Sequence, residues 1–229
     1  MQPISIKKTA HQTGWLYLAF LVIGVFNFFY IPSIIYVHDD AVRTAKNILE
    51  NEFLFRLSIL SNLAGQIIFI FLVLSLYQIF AGVNRAHARI MVALVIASVP
   101  ASFLIILHQF SSLTLLSGAN FLQVFADNQL QALSMYHYES YNDGIKIVGI
   151  FWGLWLYPFG WLVIRSGFMP KLLGVLLIIG CFAFLIDSGS YLLIPKYYQS
   201  ISNVVALPMT VGEISMIFWL TFKGVKGPL

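Results

Sequence analysis

Six apolar stretches, most of them twenty residues or longer, run through this chain of 229 residues. A helix rises about 1.5 Å per residue, so about 20 apolar residues cross the ~30 Å hydrocarbon core of a bilayer. Only 10% of the residues are charged, whereas a water-soluble domain carries about one quarter to keep its surface hydrated. The sequence therefore predicts an integral membrane protein whose main surroundings are lipid.

The apolar stretches predict an all-α fold, an integral membrane bundle of six transmembrane helices. Residues 1–229 leave no room for a separate soluble domain and are expected to form one membrane domain. The first stretch follows Lys7 and Lys8 as in a signal peptide, but it is too long and lacks a small-residue cleavage site. We expect it to be retained and to bend near Pro32. The six helices are predicted at residues 14–36, 53–80, 90–116, 145–164, 172–194 and 204–222.

Two connections carry an amphipathic pattern. Residues 39–51 place Ala45 and Ile48 at helical spacing among charges, which predicts a short interfacial helix in the first external loop. Residues 119–135, in the third external loop, have a similar pattern, but polar residues around Asp127 make them too polar to span. They are predicted to form a second helix on the membrane surface.

The basic residues orient the chain. Short cytoplasmic loops carry an excess of Lys and Arg, and eight of the 13 basic residues lie on the side that holds both termini. The N- and C-termini are therefore predicted to be cytoplasmic. The eight are Lys7, Lys8, Arg85, Arg89, Arg165, Lys171, Lys223 and Lys226, against Arg43, Lys46, Lys146 and Lys196 on the other side.

Polar side chains inside the apolar stretches are the candidates for function, because an ionisable group in hydrocarbon costs several kcal/mol unless it has a partner or a wet cavity. Glu213 is placed nearest the midplane, and it follows Gly212, where another helix can approach closely. Most of the polar groups fall in the outer half of the predicted bundle. The candidate ligand-binding residues are Arg56, Asn62, Gln66, His108, Asp187 and Glu213.

Three interpretations of these residues stay open. Arg56 and Asp187 could form a structural ion pair that fixes helix register, they could hold a ligand or ion, or an acid could catalyse a reaction. Glu213 would be charged beside Arg56 and protonated without a cation, and the sequence does not choose between these states.

Several kinds of chemistry find no motif in this chain. The outer-loop histidines and carboxylates match no compact ligand spacing, so no metal is predicted. No nucleotide loop, nucleophile elbow, HExxH or CxxC motif is present, so we expect no cofactor and name no catalytic residue. The single cysteine, Cys181, excludes an intramolecular disulfide. The basic residues serve topology, so no nucleic-acid partner is expected.

Three segments resemble an uncharacterised bacterial family of membrane proteins, domain of unknown function 4386. They are Ile164 to Gly174 (IRSGFMPKLLG), Glu52 to Leu60 (EFLFRLSIL), and the last helix with Gly212-Glu213, Trp219-Leu220 and Lys223-Gly224. The resemblance covers nearly the whole chain and implies a bacterial multipass membrane protein with no assigned activity. It supplies no catalytic residues.

The sequence as a whole favours a protein of the bacterial cytoplasmic (inner) membrane that binds or transports a small solute, ion or lipid headgroup. An outward-facing polar pocket built around Arg56, Asp187 and Glu213 would hold the ligand. If transport occurs, Glu213 could couple it to protons. The rivals are an intramembrane enzyme acting on a lipid or isoprenoid, with Asp187 or Glu213 as general acid, and an accessory subunit with purely structural ion pairs. The lipid bilayer is the expected partner, a small-molecule or lipid ligand is open, and so is a homo-oligomer.

The predicted orientation can be tested with reporter fusions. Reporters at the C-terminus and near Asn128 are expected on opposite sides of the membrane, because the charge asymmetry places the first inside and the second outside. Paired alkaline phosphatase and fluorescent protein fusions at each position would give the assignment. A periplasmic C-terminus would contradict the charge argument.

Overall fold

The computed structural model describes residues 6–225, and within them it contains helices and turns but no strand. Six helices in this range are long and apolar enough to cross a membrane, which confirms the predicted all-α fold with six spans. Lys226 lies outside the described residues, and the side on which each terminus lies stays a prediction. In chain order the helices are α1 (Ile6–Ile35), α2 (Ala41–Glu50), α3 (Glu52–Phe80), α4 (Arg85–Leu115), α5 (Asp127–Ser166), α6 (Lys171–Leu193) and α7 (Pro195–Lys223).

Several helices begin before the apolar stretches that predicted them. α5 begins at Asp127 instead of residue 145, and α7 begins at Pro195 instead of residue 204. Hydropathy marks the apolar part of a helix, whereas backbone hydrogen bonding continues through polar first turns. The prediction of a separate surface helix over residues 119–135 is therefore wrong. Asn120–Leu122 form a single 3-10 turn, and residues 127–135 are the first turns of α5.

The first connection contains the helix α2, where the amphipathic pattern predicts one. Asp40 caps it, because its carboxylate accepts a hydrogen bond from the Arg43 backbone N–H at 2.9 Å. Ala45 and Ile48 are buried, and the Asn47 side-chain amide donates to the Ile35 carbonyl at 3.2 Å. These contacts hold α2 against the end of α1, and its position at a membrane interface stays a prediction.

α1 departs from α-helical geometry just before Pro32. Phe26–Tyr30 form a π-helical turn, and the chain returns to an α-helix at Ile31. Proline lacks an N–H and its ring clashes with the carbonyl four residues earlier, which here belongs to Phe28. The irregularity thus falls where the proline predicts it.

The described residues divide into two compact units, each made of separate segments of the chain. Unit 1 comprises the described residues of Met1–Phe20, Ile68–Val99 and Lys146–Leu229, and unit 2 comprises Leu21–Ile67 and Pro100–Ile145. The core of unit 1 is aromatic: Trp155 meets Phe69 edge to face at 5.3 Å between ring centroids and stacks on Phe159 at 5.4 Å. The core of unit 2 is mainly aliphatic with a few aromatic rings, and contains Ile31, Ile35, Ile48, Ile59, Ile106, Leu113, Phe55, Tyr138 and Tyr141.

Glycines bring the helices of unit 1 into backbone contact. A Cβ added to Gly160 would lie 2.5 Å from the carbonyl oxygen of Gly174, and one added to Gly174 would lie 2.5 Å from the carbonyl oxygen of Gly160. A Cβ on Gly153 would lie 2.6 Å from the Cβ of Phe184. These separations are too short for a side chain, so α5 and α6 pack this closely only because a Cβ is absent from both faces at Gly160 and Gly174 and from one face at Gly153.

Substitution of Gly174 tests this contact. Gly174→Ala is expected to lower the free energy of unfolding by about 1–3 kcal/mol, because the methyl group would overlap a backbone oxygen that cannot move away. Gly189→Ala on the same helix is the matched control, since nothing lies within 4 Å of the added Cβ. Alanine there should keep or raise stability by up to about 1 kcal/mol through helix propensity. Thermal unfolding of both variants in the same detergent gives the comparison, and equal stabilities would contradict the assignment.

Candidate functional site

A buried ion pair joins α5 and α6 in unit 1. Asp187 is 4% exposed, and its Oδ2 accepts a hydrogen bond from Lys146 Nζ at 3.4 Å. The Lys146 ammonium also lies over the ring of Tyr198, 5.1 Å from the centroid. The other carboxylate oxygen, Oδ1 of Asp187, is buried without a hydrogen-bond partner among the described residues. We call Lys146, Asp187 and Tyr198 the Asp187 cluster.

The local sequence explains why this cluster forms. Gly149 lies one turn after Lys146 on α5, and its Cα faces Ser188, whose Oγ would be 3.2 Å from an added Cβ. The small residue lets α6 approach, which places Asp187 within reach of the flexible lysine. Ser190 then donates its hydroxyl to the Asp187 backbone carbonyl at 2.9 Å. The close packing of α5 and α6 brings the two side chains together, although 41 residues separate them in the sequence.

An open apolar groove of about 300 Å³ begins beside the Asp187 cluster. Two of its lining residues, Ile186 and Ser190, lie within one turn of Asp187 on α6. Gly189 leaves the floor of the groove open, since nothing lies within 4 Å of an added Cβ there. The other lining residues are Leu193, Ile194 and Ile201. The Asp187 carboxylate itself is not among the lining residues, and the groove surface is suited to a hydrocarbon chain.

Glu213 has a hydroxyl partner in unit 1. The Tyr17 hydroxyl, on α1, donates to Glu213 Oε2 at 2.5 Å, and Tyr17 itself is 1% exposed. Beside Glu213, Gly212 lets α7 approach α6 closely, because a Cβ added to Gly212 would lie 2.7 Å from the Leu176 carbonyl oxygen. The close approach that the sequence predicts at Gly212 is confirmed. Tyr17 could not be identified from the sequence as a partner of Glu213, because its neighbours in α1 are apolar.

Arg56 has a different environment from the one expected of a buried site residue. It pairs with Glu52 of its own helix at 2.7 Å, and the two side chains are 53% and 46% exposed. A solvated pair at this spacing contributes little to stability. Arg56 and Asp187, considered together as an ion pair from the sequence, each have another partner in the structure.

Unit 2 contains a network of neutral polar groups. The Asn62 amide donates to Gln109 Oε1 at 3.0 Å and to the Tyr141 hydroxyl at 3.1 Å, and all three side chains are buried. Gln66 is also buried one turn further along α3, and its Oε1 has no hydrogen-bond partner among the described residues. The shared face of Asn62 and Gln66 was predictable from helical spacing, whereas the role of Tyr141 needed the fold.

Two histidines face each other in the same unit. Nδ1 of His108 on α4 lies 3.0 Å from Nδ1 of His137 on α5, so one ring donates its N–H to the other. The buried hydroxyls of Ser112 and Ser134 form a second contact between these helices at 2.8 Å. Within residues 6–225, no group of three or more His, Cys, Asp or Glu side chains is placed to hold a metal ion.

A hydrogen bond links the end of α1 to α5. The Tyr36 hydroxyl donates to Glu139 Oε1 at 2.5 Å, and the Tyr36 ring stacks on Tyr138. Partial burial and the bond to the Glu139 carboxylate raise the pKa of Tyr36 above its usual range. Tyr36 therefore keeps its proton and acts as a permanent donor at this place.

The six apolar helices and their buried polar pairs define the class: this is a multipass α-helical membrane protein. The family described as Domain of unknown function (DUF4386) matches residues 12–224, so the chain belongs to that family. The resemblance drawn from the three short segments is thereby confirmed. A protein of Archaeoglobus fulgidus described as an uncharacterized protein is 36% identical over 77 residues, which are 34% of this chain and 44% of that protein. The match thus spans under half of that relative's length, and no solved structure matches this chain.

A double-mutant cycle tests the network in unit 2. Asn62→Leu and Gln109→Leu each remove the hydrogen bond between the two side-chain amides. The destabilisation of the double variant should therefore differ from the sum of the two single effects, with a coupling energy of about 0.6 and at most about 1.7 kcal/mol. Reversible unfolding of the wild type, both single variants and the double variant gives the coupling energy. Asn62→Leu with Ser111→Ala is the control, because Ser111 bonds only the carbonyl of Leu107 on its own helix. Additive effects in the first pair would contradict the network.

Proposed function

We propose that this protein binds or transports a small solute, ion or lipid headgroup in the bacterial cytoplasmic membrane, and that the Asp187 cluster holds the ligand. The observation that carries the proposal is the buried Oδ1 of Asp187, which has no hydrogen-bond partner among the described residues. A structural ion pair would be expected to use both oxygens of a buried carboxylate.

The energetics favour a missing donor at this oxygen. Leaving a buried acceptor unsatisfied costs about 1–3 kcal/mol, and more when the group is charged. Lys146 supplies one contact to Oδ2 and its side chain is 33% exposed, so it cannot close the site from all sides. A ligand with an N–H or O–H group would complete the set of hydrogen bonds.

The chemistry of the surroundings narrows the ligand. Oδ1 calls for a donor such as an ammonium or a hydroxyl, and the partly exposed Lys146 can approach an anionic group of the same molecule. The apolar groove beside the cluster suits a hydrocarbon chain. A zwitterionic headgroup such as phosphoethanolamine combines these features, which makes a lipid headgroup the best-supported member of the proposed ligand class.

Glu213 has a separate part in the proposal. Its contact with Tyr17 is a hydrogen bond from a hydroxyl group and not from a cation. The protonation of the carboxyl group should therefore depend on how much water surrounds it. If a ligand is transported, a change of hydration at Glu213 would bind or release a proton. The proposal thus assigns ligand contact to Asp187 and proton coupling to Glu213.

The proposal is tested by ligand-induced thermal stabilisation of the purified full-length protein. The probes are ethanolamine, choline, phosphoethanolamine and phosphatidylethanolamine. A probe at about a hundred times its Kd should stabilise the wild type by about 2.7 kcal/mol, which is of the order of 5 °C in Tm. Asp187→Asn should remove the shift, because the amide offers a poorer acceptor and no charge for the ligand.

The controls separate binding from folding. Lys196→Gln removes an exposed lysine near the start of α7 and should keep the ligand response. Lys146→Gln alone should destabilise the protein by about 3–5 kcal/mol, since it leaves a buried charge without a cation. The double variant Lys146→Gln/Asp187→Asn should regain stability but not the response to the probes.

The outcomes also decide between the candidate functions. If no probe shifts the Tm of the wild type, or if Asp187→Asn still responds, the Asp187 cluster is a structural ion pair of the kind an accessory subunit would use. If phosphatidylethanolamine is recovered in chemically altered form, the protein is an intramembrane enzyme with Asp187 beside its substrate. Either result overturns the proposal of binding or transport.

A further inference from the structure

A second groove, of about 440 Å³, lies in unit 1 near the connection of α3 to α4. It is lined by Leu74 and Tyr77 of α3 and by Arg89, Val92, Ala93 and Ile96 of α4. Most of its surface is hydrocarbon, and its polar atoms come from Arg89 and Tyr77. It is separate in sequence from the Asp187 cluster.

Helical spacing orders the groove from a charged end to an apolar end. Arg85, Arg89, Val92 and Ile96 follow one another at intervals of three or four residues, so they share a face of α4. At about 1.5 Å per residue this face extends roughly 16 Å from Arg85 to Ile96. Ala93 contributes only a methyl group, which keeps the middle of the groove open.

The charged end lacks an acidic partner. Tyr77 of α3 and Arg89 of α4 both line the groove, and Arg85 lies one helical turn before Arg89. No Asp or Glu within residues 6–225 lies at ion-pair distance from either arginine. Two like charges one helical turn apart repel each other, so an anion between them is favoured. Arginine binds phosphate through two parallel N–H donors, which suits this geometry.

We propose that this groove is a binding site for an anionic phospholipid. The phosphate group lies between Arg85, Arg89 and the Tyr77 hydroxyl, and one acyl chain follows Leu74, Val92, Ala93 and Ile96. Basic pockets between transmembrane helices bind acidic headgroups in this way. A free phosphate would leave the apolar part of the groove empty, and a zwitterionic lipid, which has no net charge, would leave both arginine charges unbalanced. The inference stands independently of the proposed function at Asp187.

Native mass spectrometry of the full-length protein in nonionic detergent tests the site. Phosphatidylglycerol, phosphatidylcholine and glycerol 3-phosphate are titrated separately, and the half-saturating concentration of each is measured. The wild type should bind phosphatidylglycerol most tightly. Arg89→Gln should raise its half-saturating concentration about fivefold, as loss of one basic residue near an anionic headgroup does. Ala93→Phe should raise it at least as much, because the ring fills the path of the acyl chain.

The matched control is Lys171→Gln, which removes one exposed positive charge at the start of α6, outside the groove. It should leave phosphatidylglycerol binding unchanged. Arg85, Arg89 and Ala93 are exposed, so their substitution should not disturb packing, and a cooperative thermal unfolding transition verifies each variant.

Each other outcome overturns the inference. Equal loss in Lys171→Gln would mean diffuse attraction to surface charge. Equal binding of phosphatidylcholine would mean that the arginines do not select the headgroup, and equal binding of glycerol 3-phosphate would mean a phosphate site without a lipid chain. Unchanged binding in Ala93→Phe would place the acyl chain elsewhere.

Discussion

Hydrocarbon offers no hydrogen bonds, and this lack governs the structure at every level. The backbone meets the constraint by forming helices, whose N–H and C=O groups bond within the segment. Side chains in the same segments must then find partners on neighbouring helices, which is why Asn62 meets Gln109 and Tyr141, and why Tyr17 meets Glu213. Against such thorough pairing, the few buried atoms without a partner stand out. Among the described residues, Asp187 Oδ1 is the one such atom that belongs to a carboxylate.

Sequence and structure agree where local physics decides. The six spans follow from the length of the apolar stretches, and the close packing at Gly153 and Gly160 follows from the absence of a Cβ. The first turns of α5 were missed because polar residues from Asp127 onward look unlike a membrane helix, although nothing prevents a helix from continuing into them. The partners of charged residues can also be predicted only where they are close in sequence. Glu52 and Arg56 are neighbours on one helix, whereas Lys146 and Asp187 meet only through the packing of two helices.

The two units use different kinds of polar contact. Unit 2 joins its helices mainly by amides, hydroxyls and imidazoles, with one bond from Tyr36 to the Glu139 carboxylate, and these modest bonds fix the rotation of the helices. Unit 1 contains the buried acid Asp187 and the partly buried acid Glu213, each with one side-chain hydrogen bond among the described residues. A neutral network that is nearly complete has little to gain from a ligand. An acid with one contact has more to gain, which supports the proposal that the ligand binds in unit 1.

The two grooves of unit 1 share apolar walls but differ in the charge at their ends. Beside the first groove, the charges of Lys146 and Asp187 sum to zero. A ligand that carries both a positive and a negative group therefore fits there without leaving a net charge. At the second groove, Arg85 and Arg89 lie one helical turn apart, and no carboxylate of the described residues is at ion-pair distance from them, so an anionic group reduces the uncompensated positive charge. Since an unbalanced charge near hydrocarbon is costly, this difference should outweigh the similarity of the walls. In both proposals the headgroup therefore decides selectivity, and the acyl chain contributes affinity without discrimination.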